Sequence, residues 1–187
     1  ERFEDISRIV VEENGKTIDE ARGEVRRGIE SVDFGAGTPF LMRNDGTEDI
    51  SSGIDETTIR QPMGVFAAIT PFNFPMMVPL WFMPSAIVCG NTYIIKPSPQ
   101  TPLAQEILFE LLDELDLPEG VVNLVHGGID ASRAVLEHPG ITGISFVGST
   151  PVAQIVYETG TRTGKRVQAQ GGAKNFITVM PDANLDA

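Results

Sequence analysis

An amide, an ammonium and a set of glycine turns are the groups in this chain best suited to chemistry. Asn73 sits in Ile69-Thr-Pro-Phe-Asn-Phe-Pro75, between two aromatics and two prolines, directly after the apolar segment Val65-Phe-Ala-Ala-Ile69. Such a segment reads as a short buried strand, and Pro71 and Pro75 force the chain out of it into a rigid turn. An Asn held at the carboxyl end of a strand is a preorganised hydrogen-bond donor, which is what an oxyanion needs when a carbonyl carbon is attacked. The same residue can simply satisfy its own turn backbone, and on Asn73 alone that plainer role fits better.

Lys96 follows the strand-like run Thr92-Tyr-Ile-Ile95 and precedes Pro97-Ser98-Pro99. A Lys at the carboxyl end of a parallel strand can reach ribose hydroxyls or a phosphate, although a solvated Lys in a Pro-rich turn looks the same. In Phe146-Val-Gly-Ser-Thr-Pro151, Gly148 permits a tight turn, and Ser149 or Thr150 can cap the helix that follows. Free amides there suit a pyrophosphate, or the turn is an ordinary cap. Gln170-Gly-Gly-Ala-Lys-Asn175 is a second glycine turn, open either to a close ligand or to a sharp bend. Cys89 lies at an apolar helix end and reads as a buried thiol rather than a nucleophile. His126 and His138 have no metal-ligand spacing and read as structural. No metal site is expected, and no G-x-G-x-x-G is present.

These residues need elements to hold them. Residues 1 to about 32 carry two helical stripes, Phe3, Ile6, Ile9, Val10 and then Ile18, Ala21, Val25, Ile29, divided by Asn14-Gly15. Residues 33–48 read as a loop and 49–61 as a short hairpin. Apolar runs at 65–70, 92–95, 121–125, 144–147 and 176–180 alternate with helical patterns near 79–89, 102–115, 131–137 and 151–159. That alternation predicts an α/β fold with a doubly wound parallel sheet, Rossmann-like but lacking the glycine fingerprint. The expected division is 1–48 helices and loop, 49–62 hairpin segment, and 63–187 dinucleotide-binding domain. Asn73 and Lys96 are then expected to face one cleft along the strand ends.

Composition sets outer bounds. The chain has 187 residues, 41% hydrophobic and 21% charged, enough for one well-buried domain. A net charge of −12 argues against nucleic acid or anionic membrane as a partner. The richest apolar run, Met76 to Cys89, falls short of the roughly 18 residues of a membrane span. One cysteine excludes an internal disulfide framework and fits a reducing, cytoplasmic setting.

Six segments, in this order, resemble the first part of an aldehyde dehydrogenase: Gln61-Pro-Met-Gly-Val65, Thr70-Pro-Phe-Asn-Phe-Pro75, Gly90-Asn-Thr92, Lys96-Pro-Ser98, Phe146-Val-Gly-Ser-Thr150 and Met180-Pro-Asp-Ala183. The texture is most similar to the CoA-acylating methylmalonate-semialdehyde dehydrogenases, through Pro71-Phe-Asn-Phe-Pro75 and Gly172-Ala-Lys-Asn175. The resemblance implies that Asn73 stabilises the oxyanion on the aldehyde and thioester carbonyl. It puts Thr70 and Phe72 on the nicotinamide channel, Lys96 on the adenosine ribose, Ser149 on the pyrophosphate and Gly171 against the nicotinamide half. It also implies a small-molecule aldehyde substrate, NAD as cofactor, and a homo-dimer or homo-tetramer assembled through the hairpin.

Two positions depart from the family pattern. Acid-forming members carry a Glu that activates water for hydrolysis. Here the position is Gln170, or Ala169 if the register slips by one, and no carboxylate occurs from Val167 to Asn175. CoA is therefore the expected acyl acceptor, with an acid-forming semialdehyde dehydrogenase as the alternative. Pro99 stands where many relatives have a ribose-binding Glu, so NADP stays open beside NAD, and Gln100 is the substitute hydrogen-bonding group. The family's nucleophilic Cys belongs to a later domain, and Cys89 matches a non-catalytic position. The expectation is a cofactor-binding piece, inactive alone, with a non-catalytic binding module as the rival.

Overall fold

A computed structural model describes residues 2–173 and 175–184; Glu1, Lys174 and Leu185–Ala187, which the expected 1–187 division and the Gln170–Asn175 turn include, lie outside the described residues. Two helices come first, α1 (Phe3–Asn14) and α2 (Ile18–Leu41), then the antiparallel pair β1 (Gly46–Ser51) and β2 (Ile54–Thr57). The rest alternates: β3 (Val65–Ile69), α3 (Met77–Val88), β4 (Thr92–Lys96), α4 (Leu103–Asp113), β5 (Val122–Leu124), α5 (Ile129–Glu137), β6 (Ile141–Gly148), α6 (Thr150–Arg162) and β7 (Arg166–Gly171). The last five strands form one sheet in the order β5-β4-β3-β6-β7. Every neighbouring pair in it is parallel. The chain starts in the middle strand, winds outward to β5, returns, and winds outward the other way. The doubly wound expectation holds.

Strand alternation divides the core in two. Ala68 of β3 and Tyr93 and Ile95 of β4 point to one face, packing with Met76, Leu80 and Met83, with Ala104 and Ile107 of α4, and with Val10, Ala21 and Val25 of α1 and α2. Ala67, Ile69, Ile144 and Phe146 point to the other, against Val135 of α5 and Ala153 and Val156 of α6.

Three expectations needed correction. Residues 33–41 are not a loop but the last turns of α2, which runs to Leu41 with Pro39 in its end. Its glycines serve helix contact: a Cβ on Gly28 would lie 2.9 Å from Leu80, and one on Gly35 would lie 2.5 Å from the Pro84 ring. They let α2 lie against α3 where a larger residue could not. Residues 176–180 form no strand. The last strand is β7, which the sequence hides: Val167 and Ala169 face the α6 side, with exposed Gln168 and Gln170 between them, so no apolar run exists. The hairpin falls at 46–57 rather than 49–61, and every residue of its two strands is exposed.

Candidate functional site

Parallel strands deliver all their carboxyl ends to one edge, and the turns there hold most of the residues in question. Ile69 pairs with Lys96 on one side and with Phe146 on the other, and Gly148 pairs with Gly171. The exits of β4, β3, β6 and β7 are thus side by side, each step about 5 Å.

Lys96 closes β4, and its carbonyl accepts from the amide of Thr70 at 3.1 Å, tying the two strand exits together. Its side chain follows Ile94 onto the α5–α6 face by alternation. It is only 4% exposed. Burial pushes the ammonium below the ordinary Lys pKa. Among the described residues no carboxylate pairs with it. A buried, unpaired cation at a strand exit is suited to an incoming anion or polar hydroxyls. Pro99 and Gln100 lie just beyond, exposed in a turn where Ser98 Oγ accepts from the amide of Gln100 at 3.3 Å.

Thr70 is buried at the exit of β3, and Phe72 and Asn73 are exposed beyond it. The Asn73 side-chain amide has no hydrogen bond to its own turn; the turn is held from outside instead. Lys16 Nζ donates to the Asn73 carbonyl at 2.6 Å, and Asn14 Nδ2 donates to the Phe72 carbonyl at 2.7 Å. The plainer role for Asn73 therefore does not describe this turn. Lys16 reaches it from the α1–α2 side, whereas the Lys96 side chain lies on the α5–α6 side. The Asn73 turn and the end of β4 lie side by side on one edge of the sheet. A ligand touching both has to run over the strand ends.

Ser149 takes the cap position before α6, with φ −71° and ψ 150°, but its hydroxyl makes no capping bond. The capping expectation is not met, and the Ser149 side chain is exposed. In that turn Pro151 has no N–H and the Ala153 amide donates to the Ser149 carbonyl, so the amides of Thr150 and Val152 are left for another acceptor. Gly171 ends β7 against the same turn: a Cβ there would lie 2.6 Å from that of Ala153 and 2.9 Å from Thr150 Cα. Glycine is required by the close approach of α6, whatever else it does.

Sequence reasoning missed the residues behind the Asn73 turn. Glu24 is fully buried. It accepts from the amides of Met76 and Met77 at 2.9 and 3.2 Å, capping α3, and pairs with Lys16 at 2.5 Å. The signal was available, since Glu24 interrupts the apolar stripe of Ala21, Val25 and Gly28. Beside this cluster a cleft of about 430 Å³ is lined by Arg27, Glu30, Ser31, Phe34, Met77 and Trp81. A second, of about 520 Å³, runs from Trp81 past Tyr93 and Ser145 to Gln168 and Gln170. Gln170 thus sits on the face from which the Asn73 turn is held, and no acidic side chain lines that second cleft.

Other candidates stay apart. Cys89 follows the C-terminus of α3, at the opposite end of the strands, and so does His138 after α5. His126 lies past β5 at the outer end of the sheet, 3.4 Å from Glu106. Among the described residues no group of acidic, His or Cys side chains could hold a metal. No described helix is long and apolar enough to cross a membrane.

Comparison with known proteins gives a consistent likeness. The model of the aldehyde dehydrogenase family matches residues 1–187. A malonate-semialdehyde dehydrogenase of Halalkalibacterium halodurans is 55% identical over 186 residues, covering 100% of this chain and 38% of that protein. One from Bacillus thuringiensis strain Al Hakam is equally similar over the same shares. A crystal structure from Sinorhizobium meliloti 1021, assigned as a methylmalonate-semialdehyde dehydrogenase and complexed with NAD, superposes with a TM-score of 0.93 at 48% identity, over 99% of this chain and 38% of that one. The methylmalonate-semialdehyde dehydrogenase of Oceanimonas doudoroffii gives 0.90 at 47% identity, over 93% and 36%. This chain spans 38% of the length of the curated relatives it matches.

Proposed function

The chain belongs to the aldehyde dehydrogenase family, and on that premise we propose that it is the cofactor-binding part of an NAD-dependent dehydrogenase acting on a small semialdehyde. The observation that carries this reading is Lys96, a buried cation without a carboxylate partner at the exit of β4. The uncapped first turn of α6 lies two strands away on the same edge. A dinucleotide needs both groups, the cation toward a ribose and free amides toward a pyrophosphate.

In this reading Lys96, with Pro99 and Gln100 beside it, holds the adenosine ribose. Ser149 and the amides of α6 hold the pyrophosphate. Thr70, Phe72 and the backbone of Gly171 flank the nicotinamide end, where the strand ends are crossed. NAD bound there supplies the acceptor for a hydride. Asn73 donates its side-chain N–H to the carbonyl oxygen as negative charge develops on it, a contact that strengthens toward the transition state. Cys89 is at the wrong end of the strands to attack that carbonyl, so the thiolate comes from elsewhere in the protein.

The relatives' substrates are carboxylate-bearing semialdehydes by name. Arg27 supplies a cation in the cleft beside Trp81, with Glu30 next to it. Its guanidinium lies 5.7 Å from the Phe74 ring centre, adjoining the Asn73 turn. We assign it to the substrate carboxylate. Gln170 cannot accept a proton, so hydrolysis of an acyl-enzyme lacks its base here, which favours CoA as acyl acceptor over water. The exposed hairpin is assigned to contact between copies, as a homo-dimer or homo-tetramer; sedimentation of the complete protein as a single protomer contradicts that. A cytoplasmic setting is part of the same proposal.

Binding of NAD is tested by titration while thermal unfolding is followed. A ligand that binds only the folded form stabilises by RT ln(1 + [L]/Kd), about 2.7 kcal/mol at a hundredfold excess over Kd. The midpoint should rise with NAD, and a parallel NADP series decides between the two cofactors. An unmoved midpoint in both series removes the cofactor assignment.

A further inference from the structure

Four consecutive residues from the end of α1 into its link to α2, Glu13-Asn14-Gly15-Lys16, reach the exits of two strands, β3 and β4. Gly15 takes φ +81°, a left-handed conformation that reverses the chain after α1. Glu13 then accepts from the amides of Leu103 and Ala104 at 2.8 and 2.9 Å, capping α4 just after the Pro99–Gln100 turn. Asn14 holds the Phe72 carbonyl. Lys16 makes three contacts at once: the Asn73 carbonyl at 2.6 Å, the Glu24 carboxylate at 2.5 Å, and the Phe74 ring, whose centre is 3.9 Å from Nζ.

We propose that Lys16 is a positioning residue for Asn73: its ammonium fixes the Asn73 peptide by its carbonyl, and with it the direction in which the side-chain amide leaves the turn toward the substrate oxygen. This rests on the reading of Asn73 as the oxyanion donor. An Asn ordinarily turns its side-chain oxygen onto the N–H two residues on, but Pro75 has none, so the peptide itself has to be held. Here a charge-assisted bond from outside the turn holds it, shorter and stronger than a neutral one. Glu24 fixes Lys16 in turn. Because the same carboxylate also holds the amides of Met76 and Met77, the turn is gripped at both ends, at residue 73 and at the start of α3.

The test uses the complete protein that carries this chain, with kcat and the KM for NAD measured on a semialdehyde. Lys16→Met alone leaves Glu24 buried and unpaired and risks unfolding. The neutral pair Lys16→Met/Glu24→Gln avoids this, since Gln at 24 keeps an oxygen for the Met76 and Met77 amides. This pair should lower kcat by about 10- to 100-fold, the scale of a misplaced catalytic group, and leave the KM for NAD within about twofold. Combined with Asn73→Ala it should lower kcat no further than Asn73→Ala does alone, because no amide is left to aim. Losses that multiply, an unchanged kcat in the pair variant, or an equal rise in KM for NAD each overturn the role of Lys16 while the Asn73 reading stands. An Asn73→Ala enzyme with the wild-type kcat overturns that reading and this inference with it.

Discussion

Burial without a carboxylate partner lowers the pKa of Lys96, and the direction fixes how stability must depend on pH. The unfolded chain holds this proton up to about pH 10.4. Below the lowered folded value both states are charged, and the full desolvation penalty weighs on the native state. Between the folded and unfolded values the native state sheds the proton first, so stability from this group rises with pH there. Lys96→Met should therefore melt higher than the wild type at pH 7, with the gap closing toward pH 10. It should also lose the midpoint shift with NAD. A gap that stays constant from pH 7 to 10 shows that the charge is not the cause. Asn73 and Lys96 were legible as site candidates because prolines follow both strands, marking the exits. Glu24 showed only as a break in the apolar stripe of α2, and the roles of Glu24 and Lys16 did not show, because their contacts to the turn join positions more than fifty residues apart.

At the scale of elements, the packing of α2 on α3 offers a matched pair of substitutions. Gly23 has nothing within 4 Å of a built Cβ, whereas at Gly35 that atom meets the Pro84 ring at 2.5 Å. Gly23→Ala should stabilise by about 0.5–1 kcal/mol through lower helix-forming entropy. Gly35→Ala gains the same propensity but forces the helices apart, at about 1–3 kcal/mol. The two should thus change the denaturation midpoint in opposite directions; equal signs contradict the close approach. The same glycines explain why the end of α2 was misread. Asp33-Phe-Gly-Ala-Gly-Thr-Pro39 has the composition of a loop, and only the face of α3 beneath it makes those small residues helical. Val65–Ile69 was readable because both its faces are covered, giving an unbroken apolar run. Arg166–Gly171 lies at the sheet's edge with a face of two glutamines, and its periodicity rests on Val167 and Ala169 alone.

For the whole molecule, the sheet's two faces divide the labour. The face with α5 and α6 carries Lys96 and the open turn of α6; the face with α2 and α3 carries Arg27, Trp81 and Gln170. In the proposed function the chemistry falls where the two meet, and the choice of acyl acceptor belongs to the second face. With no carboxylate around Gln170, steady-state aldehyde oxidation by the complete enzyme should be at least about tenfold faster with CoA than without, which stopped assays of NADH formation can measure. Equal rates with and without the thiol restore the acid-forming alternative. Gln170→Glu should then raise the CoA-independent rate only if a water can approach that side chain.

Gly171 and Thr150 are in backbone contact, and Gly172 donates to the Gly148 carbonyl at 3.4 Å. The end of β7 and the start of α6 are therefore tied together at the strand edge. In the proposed function this pair borders the pyrophosphate, so a substitution on either side of the contact should disturb the end of β7 and the start of α6 together.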